Sequence, residues 1–385
     1  KIQRAAAVSQ AWFEDVARWA GQDPVAFTFN LMTRSRRITF DNLALRDPIL
    51  VDRAARTFAE AAGCPVPATG RPPRPALVPL TIRSLALENR IVVSPMCQYS
   101  AKDGVPDDWH LVHLGARAVG GAGLVFGEAT GVSPAGRITL GCTGIYDDAQ
   151  VVAWRRITDF VHANSRARVG LQIGHAGRKA SCQLPWAGDG PLVNADAWPT
   201  IAPSAVPYAP TWHVPREMTY REIDAVCAEF ASAAERTRRA GFDVLELHMA
   251  HGYLLSSFIS PLSNRRTDRY GGDLGGRMRF PLEVLDAVRE VWPSDAPVFV
   301  RISASDWMED GSGVTDADAV EVARLLAAHG ADVVDVSSGG TSPLGKPVYG
   351  RMYQTGFADR VRHEARVTTM AVGGIESLDH ADTIL

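Results

Sequence analysis

From residue 76 onward the chain alternates short apolar runs with longer stretches of helical periodicity. The apolar runs are Arg90–Ser94, Leu124–Glu128, Val169–Ile173, Val244–His248, Val298–Ile302, Val333–Ser337 and Thr368–Val372. Their length and β-branched content predict buried strands. The intervening stretches predict helices with recognisable ends. Thr219 and Glu222 have the spacing of a capping box, Ile223, Val226, Phe230 and Ala234 mark one apolar face, and Gly241 ends the pattern. Thr315 opens a second such helix, with Val320, Ala323 and Leu326 inward and Gly330 at its end. Sustained alternation of strand and helix implies a parallel sheet with helical crossovers. Two α/β architectures fit, an open doubly wound sheet and a barrel. No G-x-G-x-x-G follows the first run, so a Rossmann dinucleotide site is unsupported. We expect a (β/α)8 TIM barrel truncated before strand 8, because the chain stops at Leu385 inside the seventh helix.

Two segments break this rhythm. Residues 1–62 read as helical and rich in Arg and Ala, with Val8, Trp12, Val16 and Trp19 at amphipathic spacing. The proline-rich run from Cys64 to Pro75 reads as a stiff, extended linker. The expected organisation is therefore a helical segment over 1–62, a linker over 63–75 and an incomplete barrel over 76–385. The second break is the Pro- and Trp-rich stretch from Gln183 to Pro215. A loop of that length on a barrel is usually a lid or a binding wall.

Composition adds exclusions. Hydrophobic residues make up 46% of 385, ordinary for a globular core, and the net charge of −3 calls for neither nucleic acid nor an anionic membrane. No apolar run is long enough to span a bilayer. The start at Lys1 has no signal-peptide pattern and no initiator Met, so we expect a piece of a longer chain. The five cysteines are scattered without a C-x-x-C pair, which disfavours zinc and favours a reducing, cytoplasmic location. Nothing here opposes a homo-oligomer.

On a barrel, chemistry sits at the C-terminal ends of the strands. The polar residues there form a consistent set. Strand one runs into Ser94-Pro95-Met96-Cys97-Gln98-Tyr99, strand three carries Gln172 and then His175-Ala-Gly-Arg-Lys179, and strand four ends in His248-Met-Ala-His251-Gly-Tyr253. Strand five contains Arg301, and strand seven runs into Gly373-Gly374. Blander readings stand beside each. His248 and His251 could be a metal pair or core histidines, but no carboxylate stands at ligand spacing, and as donors to a substrate oxygen they fit better. Arg301 could form a structural ion pair, since a buried guanidinium needs a partner. Gly373 and Gly374 could make only a turn, or offer backbone N–H groups to a phosphate. Cys97 alone reads more readily as a small buried hydrophobe than as a reactive thiol.

Taken together, Ser94-Pro-Met-Cys-Gln-Tyr, His175-Ala-Gly-Arg-Lys, His248-x-x-His251-Gly-Tyr253, Ser260-Pro-Leu-Ser-Asn-Arg-Arg-Thr-Asp-x-Tyr-Gly-Gly and Val300-Arg301-Ile-Ser resemble the Old Yellow Enzyme family. The resemblance is closest to its bacterial, thermophilic-like ene-reductases and covers residues 76–385. It implies FMN as cofactor and NAD(P)H as reductant. It implies that Ser94, Pro95, Met96 and Cys97 line the flavin, with Cys97 tuning its potential. Ala129 would pack under the ring, Gln172 would bond the pyrimidine, and Arg301 would stand by N1 and the C2 oxygen. His248 and His251 would hold the substrate's oxygen, Tyr253 would protonate the α carbon, and Tyr99 would shape the pocket. Gly373 and Gly374 would serve the phosphate.

This chain departs from the family pattern in two places. The family's second phosphate loop would fall beyond Leu385, and the 183–215 stretch is larger than in short ene-reductases, which suggests a bulkier substrate. The first 62 residues, through Trp12-Phe-Glu-Asp-Val-Ala-Arg18 and Leu31-Met-Thr-Arg34-Ser-Arg36-Arg37-Ile-Thr, resemble the end of an FAD-dependent aromatic monooxygenase. Such a fusion resembles the salicylyl-CoA 5-hydroxylase and 2-aminobenzoyl-CoA monooxygenase/reductase enzymes. It implies FAD in an upstream domain and an aryl-CoA thioester as substrate. Arg34, Arg36 and Arg37 would then serve interdomain salt bridges or CoA phosphates. The alternatives are a stand-alone ene-reductase with an unrelated helical extension, and a barrel that positions a partner without turnover.

Overall fold

The structure, a computed structural model, describes residues 48–61, 63–66, 72–193 and 195–385. The expected amphipathic helix at Val8–Trp19 and the cluster Arg34, Arg36 and Arg37 lie outside the described residues. The chain divides into two compact units.

The smaller unit comprises residues up to Leu80, Glu88–Arg90 and Ser377–Leu385. It holds a helix over Pro48–Ala61, a single turn at Pro75–Leu77 and a helix over Leu378–Ile384. Arg74 pairs with Asp379 and with Asp382 at 2.6 Å, and Asp382 also accepts from the Ala76 N–H at 2.9 Å. The Arg90 guanidinium lies 4.6 Å over the Phe58 ring. Proline removes backbone donors, and at Arg74 side-chain ion pairs stand in place of a ladder.

The larger unit is built on strands β1 (Val92–Val93), β2 (Leu124–Gly131), β3 (Arg168–Gly174), β4 (Val244–Met249), β5 (Val298–Ser303), β6 (Val333–Ser337) and β7 (Thr369–Ala371). These are the seven predicted runs, with β1 shorter and β2 longer than the apolar pattern suggested. They form one parallel sheet in which every strand neighbours the next in sequence. A doubly wound sheet reverses its strand order at a switch point. A sequential parallel order has no such reversal and is the order of a (β/α)8 barrel, here with seven strands.

The crossovers are α1 (Asp108–Val119), α2 (Asp148–Asn164), α3 (Tyr220–Arg239), α4 (Leu274–Val291), α5 (Asp316–Ala328) and α6 (Thr355–Arg360). Local chemistry sets their ends. Thr219 and Glu222 cap α3 reciprocally, and Thr315 and Asp318 do the same for α5. Gly241 and Gly330 follow these helices with φ of +87° and +95°, a conformation that favours glycine. The predicted inward residues of α3 and α5 are all buried. Inside the sheet, Phe126 and Phe299 pack with ring centroids 5.8 Å apart. Gly170 makes room for them, since a Cβ there would come within 2.3 Å of the Phe126 ring.

The long segment after β3 has little regular structure. Ile201–Ala202 and Arg216–Glu217 pair as a small parallel ladder. Buried Arg266 ties both ends of it down by donating to the carbonyls of Pro203 at 3.2 Å and Met218 at 2.7 Å.

Phe230 lies wholly buried on α3, so Phe230→Ala should lower the unfolding free energy by about 3–5 kcal/mol. Val152, 71% exposed on α2, should tolerate Ala within about 0.5 kcal/mol. Urea unfolding of both variants checks the packing; equal losses would contradict it.

Candidate active site

Strand periodicity sends alternate residues to the same face, and parallel register then sets them side by side. Gln172 on β3 pairs in register with Glu246 on β4, His248 pairs with Arg301 on β5, and Arg301 pairs with Asp335 on β6. All five side chains are buried. Gln172 Nε2 donates to Glu246 Oε1 at 2.8 Å. Arg301 Nε lies 3.3 Å from Asp335 Oδ2, an ion-pair contact outside hydrogen-bond geometry. Among the described residues the Arg301 Nη groups have no protein hydrogen bond. Burial pushes Glu246 well above the usual carboxyl range and Asp335 helps, while Arg301 and Gln172 oppose the rise. Burial also raises Asp335, to about 6, against the pull of Arg301. The structural ion pair that the sequence allowed for Arg301 is present at its Nε end.

The turn after β4 gathers the two histidines and the tyrosine. Ring centroids lie 5.1 Å apart for His248 and His251, 4.9 Å for His248 and Tyr253, and 6.5 Å for His251 and Tyr253. His251 adopts a left-handed backbone with φ +61°, which makes the turn tight enough to bring Tyr253 back over His248. Two serines hold that strained turn: Ser303 Oγ accepts from the His251 N–H at 2.8 Å, and Ser256 Oγ from the Gly252 N–H at 3.1 Å.

The two imidazoles are prepared differently. His248 Nδ1 accepts from the Ala250 N–H at 3.2 Å, so its proton sits on Nε2. Burial, then Arg301 and Lys179, hold His248 well below the usual imidazole range, so it is neutral and Nε2–H is a donor. His251 is likewise held neutral by burial and by Arg301. Its Nε2 is already engaged with Ser337 Oγ at 2.8 Å. The two rings therefore differ: His248 has its Nε2–H without a protein partner among the described residues, whereas the Nε2 of His251 is engaged by Ser337. Burial raises the Tyr253 phenol well above its ordinary value, with Cys97 and Tyr99 adding to the rise, so it keeps its proton.

Ala129, Gly131, His175, His248 and Tyr253 line one small cavity at the C-terminal ends of β2 to β4. Cys97 and Tyr99 stand beside it on the loop after β1, where Tyr99 is held at φ +51°. The Cys97 thiol is raised by burial and by Glu128, against hydrogen bonding to Tyr99 and the Ala129 backbone. Ser94, Pro95 and Met96 precede it, and Met96 is 43% exposed. Gly373 and Gly374 stand apart, after β7, with φ of +104° and +66°. Gly374 approaches the 350–352 segment so closely that a Cβ would lie 2.5 Å from Gly350 O.

Arg178 and Lys179 stood in the sequence motif without a role, and Glu128, His110, Glu246 and Asp335 were not singled out as site residues. Lys179 Nζ donates to His251 O at 2.8 Å and Gly340 O at 2.9 Å, and lies 4.5 Å over the Tyr208 ring. Burial, then Arg178, lowers it to about 8. Arg178 donates to the carbonyls of Val206 and Pro207 at 3.3 Å and to Thr341 O. Together they clasp the loops after β3, β4 and β6. Under Cys97, Glu128 accepts from the Gln98 N–H at 3.1 Å and lies 3.0 Å from His110 Nε2. Burial works against the protonated form of His110, but Glu128 and Asp107 hold its pKa up. Polar residues inside apolar runs were the available signal for Glu128, Glu246 and Asp335. Among the described residues no group of three or more His, Cys, Asp or Glu could hold a metal ion.

Comparison with known proteins places this geometry. The model of the NADH:flavin oxidoreductase / NADH oxidase family matches residues 77–385. The NADH:flavin oxidoreductase FG08077 of Gibberella zeae is 42% identical over 324 residues, covering 80% of this chain and 78% of that protein. An NADPH dehydrogenase of Geobacillus thermodenitrificans is 46% identical over 309 residues, covering 80% of this chain and 85% of that one. Morphinone reductase superposes with a TM-score of 0.67 at 29% identity, over 80% of this chain and 82% of that one. The chain therefore belongs to the NADH:flavin oxidoreductase / NADH oxidase family, and is an FMN-dependent NAD(P)H oxidoreductase of the Old Yellow Enzyme type.

Proposed function

We propose that the barrel reduces an activated C=C bond or enone, with the substrate's oxygen held by His248 and His251 and the α carbon protonated by Tyr253. The observation that carries this is the tautomer of His248. A backbone N–H occupies Nδ1, so the ring presents a fixed donor 4.9 Å, centroid to centroid, from a phenol that keeps its proton. A fixed donor costs no reorganisation when charge develops on the oxygen it meets. His251 offers Nε2–H on release from Ser337; while the Ser337 hydroxyl donates to Gln354, Nε2 is the donor to Ser337 and the neutral Nδ1 can only accept. Tyr253 Oη holds the proton that goes to the carbon beside that oxygen.

The residues present fit FMN. Among the described residues the Arg301 Nη groups make no protein hydrogen bond, and a guanidinium held by its Nε beside Asp335 suits an edge that gains negative charge. Gln172 gives its amide N–H to Glu246, which leaves its carbonyl as an acceptor for a ring N–H. Ser94, Pro95, Met96, Cys97 and Ala129 would line the ring, with Tyr99 shaping the pocket. Gly373 and Gly374, both left-handed, would direct backbone N–H groups to the phosphate. When bound, FMN supplies the hydride it receives from NAD(P)H.

The finer reading is an aryl-CoA-derived substrate, hydroxylated by an FAD-dependent domain of which residues 1–62 are the end, with 63–75 as linker and 76–385 as reductase. Its support is the sequence likeness of Trp12–Arg18 and Leu31–Thr39 and the length of the 183–215 stretch. Five free cysteines support a reducing, cytoplasmic setting.

Tyr253→Phe should leave FMN reduction by NADPH within about twofold and slow reoxidation by an enone by roughly 10²–10⁴-fold. Stopped-flow measurement of both half-reactions decides; equal effects on the two would remove Tyr253 as proton donor. His248→Ala should weaken binding of a phenol to the oxidised enzyme by about 10-fold or more, from loss of one fixed donor. Absorbance titration reads it, and an unchanged dissociation constant would place the oxygen elsewhere.

A further inference from the structure

Asp335 has no role in the proposed reaction, yet it is a costly residue. It sits at the centre of β6 with its side chain wholly buried. Neither carboxylate oxygen has a hydrogen-bond partner. Burying a carboxylate without hydrogen bonds costs several kcal/mol, more than β6 needs to fill the same space with an apolar side chain. Its ionic counterpart among the described residues is Arg301, its register partner, with Nε at 3.3 Å.

We propose that Asp335 is the positioning residue of Arg301: it anchors the guanidinium by Nε, aims the Nη groups away from itself, and offsets part of the positive charge they present. The proposal rests on the reading that Arg301 faces the FMN pyrimidine edge. The other groups around Arg301 leave this task to Asp335. Glu246, on β4, is the second buried acid, but one of its oxygens is taken by Gln172 and its neighbour Asp335 disfavours a second negative charge. His248 and His251 are neutral. Tyr353, which also feels Arg301, has a phenol raised by burial and so carries no charge. One cation therefore faces one ionised acid. Its field at the ring is that of a compensated ion pair, and removing Asp335 exposes the full cation.

The test is the midpoint potential of FMN on the full chain as a function of pH. Asp335→Asn should raise the potential at pH 8 by at least tenfold in the two-electron equilibrium, ~30 mV, because an uncompensated cation favours the more negative, reduced cofactor. The difference from the parent should shrink below pH about 6, where Asp335 takes up a proton and becomes electrically equivalent to Asn. Arg301→Gln should lower the potential and weaken FMN binding, and adding Asp335→Asn to it should produce no further rise. A potential unmoved by Asp335→Asn at both pH values, while Arg301→Gln lowers it, overturns the proposal and leaves the cofactor reading standing. An Arg301→Gln enzyme with unchanged potential and FMN dissociation constant overturns the cofactor reading and the proposal with it. If Asp335→Asn does not fold, the parent and Arg301→Gln decide: the fall in potential on losing the guanidinium should be larger below pH about 6, where Asp335 is neutral, than at pH 8, and an equal fall at both contradicts the role of Asp335.

Discussion

The register of β4, β5 and β6 is the constraint on which the rest depends. It sets His248, Arg301 and Asp335 in a row across three strands. A slip of one residue would turn all three to the other face. With the row in place, each member determines the next. Asp335 gives Arg301 a reason to stay buried, burial with the help of Arg301 keeps His248 neutral, and neutrality leaves His248 as a donor with a fixed tautomer. All three side chains are buried, so their mutual interactions are little screened by water.

Around this row the loops are held by polar clasps. Lys179 and Arg178 donate to carbonyls on the loops after β3, β4 and β6, so a cation does the work that backbone ladders do elsewhere. A chain of hydroxyls and an amide extends from His251 through Ser337 to Gln354, whose Nε2 donates to Val372 O beside Gly373. The turn that carries the His251 ring is thereby linked by hydrogen bonds to the backbone that precedes the two left-handed glycines. The family resemblance assigns these ends of the molecule to substrate and phosphate, and the network gives a physical route between them.

Much of this was legible in the residues. All seven strands follow apolar runs, and the caps of α3 and α5 lie at the threonines that predicted them. The His248, His251 and Tyr253 cluster was visible because three polar residues end one apolar run. What stayed hidden depends on register and side-chain direction. A sequence cannot show that Asp335 lies opposite Arg301, since strands thirty-odd residues apart have no local signal of alignment. It could not show that His251 spends one nitrogen on Ser337, eighty-six residues away. Glu128 and His110 escaped for the same reason: one lies within β2, the other in the first turn of α1, and only folding brings them within 3.0 Å.

The central claim is that Arg301, held by Asp335, places positive charge at the pyrimidine edge of FMN. The direct measurement is the pKa of N1 in the reduced cofactor, followed by ¹⁵N NMR of labelled FMN on the chain. The account predicts a value below that of free reduced FMN, with N1 deprotonated at neutral pH. An N1 that titrates as it does in free solution, or at a higher pH, would contradict it.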